Sequence, residues 1–165
     1  MSTPQSSSSL PSADGCTPNQ PLAALAARMR AHELNMISEY LYQSIIFADT
    51  LRELSDFFEN LAGEEMEHHR ALTRLILALG SDPAERSAVR TSAGLVPAED
   101  KPSHAPVAAA RCLRANIAAE ERDAEDYAAL AQTAERVGQA PAAAIFRAIC
   151  AEEKEHAARQ RRMLR

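Results

Sequence analysis

The sequence has no tryptophan, only 4% aromatic residues and five glycines among 165 residues, and its 46% apolar content is largely alanine and leucine. Sheet proteins draw on β-branched and aromatic runs, so this shortage argues for helices, which Ala and Leu favour. Cysteine is scarce too. Cys16, Cys112 and Cys150 are odd in number, scattered and without a Cys-x-x-Cys pair, which speaks against a disulfide framework and fits a reducing, cytoplasmic setting. No apolar stretch reaches the ~20 residues needed to span a bilayer, and no basic segment followed by an apolar run marks the N-terminus. No membrane partner is expected. Positive charge is in deficit, with 18 Lys and Arg against 23 Asp and Glu for a net charge of −5. With no basic stripe interleaved with aromatics, nucleic acid is not an expected partner either.

What is present is a run of helical patterns. Residues 1–19 are rich in Ser, Pro, Thr and Gln and have little to bury, so a disordered N-terminal tail is expected there, followed by one domain over 20–165. Helix A is expected from Pro21 to about Ala48, with Leu22, Leu25, Met29, Glu33, Ile37, Tyr40, Ser44 and Ala48 inward. Asp49-Thr50 turns the chain, and Thr50-x-x-Glu53 reads as a capping box opening helix B. That helix carries Leu54, Phe58, Leu61, Glu65, His68, Leu72, Leu75 and Leu79 inward and ends at Gly80, with Pro83 beyond. Ser81 to about Lys101 lacks a sustained period and is long enough to cross the length of a bundle, which places helix C parallel to helix B. Helix C, from Ser103 or Pro106 to Val137, would turn Val107, Ala110, Leu113, Ile117, Glu120, Ala124, Tyr127, Ala131 and Ala134 inward; Gly138 stops it. Pro141 opens helix D, with Ile145, Ile149, Glu153, His156, Gln160 and Met163 inward. The expected architecture is all-α, a four-helix bundle of two hairpins joined by a long crossover.

Carboxylates and imidazoles interrupt these apolar stripes in a duplicated pattern. Glu65-Met66-Glu67-His68 and Glu153-Lys154-Glu155-His156 each place a carboxylate and an imidazole three residues apart on one helix face. Each pair is preceded by a further inward Glu with a Tyr seven residues after it: Glu33 with Tyr40, and Glu120 with Tyr127. Glu65 follows Glu33 by 32 residues and Glu153 follows Glu120 by 33, so each hairpin brings its own acids level. An ionised carboxylate buried without a partner costs about several kcal/mol, so four in one core call for cations. Four glutamates are neutralised by two divalent ions, and oxygen-rich ligation with one imidazole per metal suits iron or manganese over structural zinc. Glu64, Glu67, Glu152 and Glu155 fall off the stripes and read as surface charge, as do His32, His69 and His104. Cys112 and Cys150 read as small core residues. Glu121 is the neighbour that could replace Glu120, but the seven-residue relation to Tyr127 favours Glu120.

With this ligand set the chain resembles the ferritin-like di-iron carboxylate proteins, in which two helices give one Glu each and the other two a Glu-x-x-His each. The resemblance covers about residues 20–165. It implies metal ligation by Glu33, Glu65, His68, Glu120, Glu153 and His156, with Glu65 and Glu153 bridging or nearly so and Glu33 and Glu120 terminal. Tyr40 and Tyr127 would hydrogen-bond carboxylates of the opposite hairpin. The implied cofactor is two Fe ions per chain, with manganese as the alternative. Met66 matches a position that can ligate haem in bacterioferritins, but plain packing accounts for it and haem is not expected. The exit Leu79-Gly80-x-x-Pro83 is similar to rubrerythrins, although a four-cysteine rubredoxin site is absent; Asp123 stands where some of them carry an extra acid. The implied function is a rubrerythrin-like peroxidase or a ferroxidase, an oxidoreductase active in oxidative stress that takes peroxide or dioxygen and an electron donor. Iron storage in a ferritin cage and manganese-catalase-like disproportionation of peroxide are the alternatives. With no fifth helix legible after helix D, a homodimer or small homo-oligomer is expected over a cage.

Overall fold

The computed structural model describes residues 19–83 and 105–165. The expected tail, Asn19 excepted, and most of the crossover with His104 lie outside the described residues. Four helices account for nearly all of the rest: α1 (Gln20–Phe47), α2 (Arg52–Ala78), α3 (Ala105–Arg136) and α4 (Ala140–Met163). The all-α four-helix bundle expected from the sequence is the observed architecture.

The helix ends have local causes. Pro21 and Pro141 stand in the first turns of α1 and α4, where a missing N–H leaves no intrahelical bond unmade. Gly80 and Gly138 have φ of +79° and +74°, a conformation that costs other residues a Cβ clash with backbone. In each case the next amide reaches back five residues, Ser81 N–H to Ile76 O at 3.1 Å and Gln139 N–H to Ala134 O at 2.8 Å, and closes the helix end. The expected Thr50 capping box does not form. The N-cap of α2 is Leu51, with no side-chain cap, so the third helical position falls on Leu54 and Glu53 is one residue early. Glu53 still lies in the first turn, where its charge suits the helix dipole.

The helices pair as antiparallel hairpins, α1 with α2 and α3 with α4, each packed along its length, and the hairpins meet where α1 faces α3 and α2 faces α4. Tyr40 stacks on Phe58 at 5.9 Å inside the first hairpin, and Tyr127 meets Phe146 at 6.2 Å at the matching place in the second. Tyr127 also reaches Glu33 while Tyr40 reaches Glu120, so α3 runs antiparallel to α1 and therefore parallel to α2.

The inward stripes hold in the middle of each helix and slip at the ends. Every residue expected inward on helix B is buried. Val107, by contrast, is 70% exposed and Ala110 half-buried, with Ala109 and Cys112 taking their place; Ile145 and Met163 yield to Ala142 and Phe146, and Ala48 and Leu25 to Phe47 and Ala26. A stripe counted at 3.5 residues per turn drifts about 20° per heptad on a straight helix, so the error accumulates away from the centre. The centre is where the site lies.

Candidate metal centre

The middle layer of the bundle is densely polar in a core made mostly of Leu, Ala, Ile and Phe. Glu33, Glu65, Glu120 and Glu153 are each 1% exposed, and His68 and His156 are equally buried. Helical geometry stacks Glu65 over His68 and Glu153 over His156, and antiparallel packing of α2 on α4 sets the two rings face to face, 5.5 Å apart.

Ligand atoms gather in two groups. One oxygen or nitrogen from each of Glu33, Glu65, His68 and Glu153 lies within 4.8 Å of the others, and the same holds for Glu65, Glu120, Glu153 and His156. Glu65 and Glu153 belong to both groups, Glu33 and Glu120 to one each. His68 Nδ1 is 2.9 Å from Glu65 Oε2 and 3.1 Å from Glu153 Oε1. His156 Nδ1 lies 2.9 Å from Glu65 Oε1, 3.2 Å from Glu153 Oε2 and 3.7 Å from Glu120 Oε2. One N–H cannot be aimed at three oxygens. His156 Nδ1, Glu65 Oε1 and both Glu153 oxygens are buried without a hydrogen bond, though they stand at contact distance. Atoms that crowd together without hydrogen-bond alignment converge on a shared point, as donors to a cation do. Hard oxygens with one imidazole nitrogen per group fit Fe(II) or Mn(II).

Protonation of these side chains is strongly coupled to their burial. Burial pushes the Glu33 carboxyl well up, helped by the charges of Glu153 and Glu65. Burial raises Glu120 to about 8 against the pull of His156. Burial also opposes charge on Glu153, but His156 and His68 override it and hold this acid at about 2; Glu65 is lowered for the same reason. The imidazoles resist desolvation and are pushed up by surrounding glutamates, His68 to about 11 and His156 to about 12. Tyr40 donates to Glu120 and Tyr127 to Glu33, each across to the opposite hairpin, and burial keeps both phenols protonated donors.

A ferritin-like domain model matches residues 23–165. The chain belongs to the ferritin-like family. Twenty-one solved chains match the fold. One is bacterioferritin from Desulfovibrio desulfuricans, whose X-ray study describes its diiron site in different catalytic states. It has a TM-score of 0.73 at 21% identity, over 88% of this chain and 79% of that one, a likeness of fold. No curated protein matches the chain.

Within this ferritin-like bundle, three residues expected as surface charge, Glu64, Glu152 and His32, turn out to be engaged by buried partners. Glu152 Oε2 sits 2.8 Å from His68 Nε2, and Glu64 Oε2 sits 2.9 Å from His156 Nε2. Each carboxylate therefore engages the outer nitrogen of the other hairpin's histidine, which fixes the ring so that Nδ1 faces the cluster. The signal was the doubled Glu-Glu-x-x-His in 64–68 and 152–156. Glu67 and Glu155 do point outward and pair with Arg70 and Arg162. His32 is not free surface either: its Nε2 lies 2.9 Å from the buried Asp123, which belongs to neither ligand group. Glu121 is turned out to Arg161. Cys112 and Cys150 are buried free thiols, Cys150 donating to Ala124 O, and Met66 is half-buried outside both groups.

Proposed function

We propose that this ferritin-like protein holds two iron ions in the bundle core and oxidises Fe(II) with peroxide or dioxygen, a ferroxidase-type oxidoreductase. The observation that carries this reading is the pair of ligand-atom groups sharing Glu65 and Glu153. Glu33 and His68 would hold one ion, Glu120 and His156 the other, with Glu65 and Glu153 between them. Two Fe(II) would supply one electron each, enough to reduce one peroxide to two waters, or one dioxygen to one peroxide, with uptake of two protons in either case. The chain's own contribution is position and charge. Tyr40 and Tyr127 hold the terminal carboxylates by hydrogen bonds, Glu64 and Glu152 hold the imidazoles, and an apolar shell of Phe58, Leu61, Leu72 and Phe146 excludes bulk water. The bacterioferritin likeness supports iron over manganese.

A rubrerythrin-like peroxidase fed by an external electron donor would use the same groups, and a storage cage would oxidise iron here and pass it on. Assembly into a homodimer or small oligomer is part of the proposal, supported by the outward apolar residues of α1, Leu34 at 51% and Ile45 at 74% exposed. A cytoplasmic location fits the buried free thiols.

The test is anaerobic loading with Fe(II), elemental analysis, then mixing with peroxide or air. Two irons per chain, oxidised in a burst, is the expected result. Failure to retain any iron would end the proposal. Sustained peroxide loss without a reductant would point to disproportionation, and a particle of many subunits on size exclusion would point to the cage.

A further inference from the structure

The two hairpins repeat closely enough to be compared residue by residue. Positions 33 and 40 of α1 correspond to 120 and 127 of α3, and positions 65, 68 and 58 of α2 to 153, 156 and 146 of α4. The six candidate ligands obey this symmetry. Three polar supports around them break it in one sense, and the His32–Asp123 pair, whose counterparts are Ala119 and Met36, touches no ligand.

On the Glu120 and His156 side, Gln160 is fully buried and donates from Nε2 to the Tyr40 hydroxyl at 2.9 Å and to Glu120 Oε1 at 3.1 Å. Its counterpart beside Glu33 and Tyr127 is Leu72, which has nothing to donate. Arg159 grips Glu64, the carboxylate that holds His156, through two guanidinium nitrogens. The counterpart of Arg159 is Ala71, and among the described residues Glu152 touches only His68 and is 60% exposed at its side chain. One turn further out, Gln43 and Asn116 bond each other in both directions in the core, while the matching pair is Leu130 and Met29.

We infer that the two metal positions are inequivalent: the ion held by Glu120 and His156 binds first and more tightly, and the ion held by Glu33 and His68 is the exchangeable one. The inference rests on the dimetal reading above. Its physical basis is preorganisation. Glu120 is fixed by two donors where Glu33 has one, and the His156 ring is fixed through a carboxylate that is itself clamped where the His68 ring leans on a loose one. Groups outside the ligands that orient them are typically worth about 10- to 100-fold in metal affinity.

The experiment is a titration of the metal-free full chain with Co(II) under argon, followed by visible absorption and calorimetry. Two steps at least about 10-fold apart are expected. Glu33→Ala should abolish the weaker step and keep the tighter; Glu120→Ala should do the reverse. Arg159→Ala, at a half-buried position that copies Ala71, and Gln160→Leu, which copies Leu72, should each weaken the first step and bring the two together, so the test survives if either variant folds poorly. Two equal steps in the wild-type chain, or loss of the tight step in Glu33→Ala, would overturn the inequivalence while leaving the dimetal site standing. Absence of any binding would overturn both.

Discussion

Glu65 is the residue on which the centre depends most, because it enters both ligand groups and faces both imidazoles at 2.9 Å. Glu65→Ala removes that shared carboxylate and leaves the helix residue most favoured by propensity. The variant is expected to stay helical and to lose at least one metal per chain, measured by circular dichroism beside elemental analysis; full metal content would sink the ligand assignment. Glu64 and Glu152 show a different residue-scale lesson. Being partly exposed, they follow the rule for surface charge, yet each is the partner that sets which nitrogen of a buried imidazole faces inward.

At the scale of the element, the hairpins are held by aromatic contact and closed by glycine. Phe58 is fully buried against Tyr40, Phe47 and Phe57, so Phe58→Ala would both lose apolar burial and leave a cavity. A loss of about 3–5 kcal/mol is expected in urea unfolding of the metal-free chain. At Gly138 there is space for a Cβ, so only the left-handed φ of +74° resists substitution. Gly138→Ala should lower stability by about 1 kcal/mol, seen as a lower urea midpoint at unchanged slope. An unchanged midpoint would mean that the α3–α4 turn can relax to another conformation.

For the whole molecule, the core's protons link stability, metal and pH. Glu120 at about 8, His68 at about 11 and His156 at about 12 all stand above their ordinary values of 4.5 and 6.5. The folded chain thus keeps protons that the unfolded chain releases. The stabilisation from Glu120 is complete below about pH 4.5 and lost as pH rises through about 8; that from the histidines is complete below about 6.5 and lost toward 11 and 12. Glu153, held at about 2, acts oppositely and weakens the fold only as pH falls through that value. The metal-free protein should therefore melt at lower temperature at pH 9 than at pH 6. On the dimetal proposal, two divalent ions would displace the protons held by Glu33, Glu120, His68 and His156, so loading near pH 7 should release about four protons per chain in an unbuffered titration, and affinity should climb with pH. Release of fewer than about two would contradict this protonation scheme.

The sequence by itself determined which residues share a helix face. Periodicity is local, so Glu33, Glu65, His68, Glu120, Glu153 and His156 could be placed on inward stripes before any packing was known, and the duplicated spacing brought them to one level. Stripe ends slipped because a fractional helical period accumulates error with distance, and the Thr50 cap failed because a one-residue shift in the helix start decides which side chain can reach back. What only the tertiary structure decided is which stripe meets which, at what register. That register puts Glu152 on His68 and Glu64 on His156, engages His32 with Asp123, and sets Gln160 against Leu72 as the uneven supports of an otherwise symmetric centre. These are contacts between residues far apart in the chain, fixed by how whole helix faces interlock; the doubled Glu-Glu-x-x-His marks residues able to take part but not which helix each one meets.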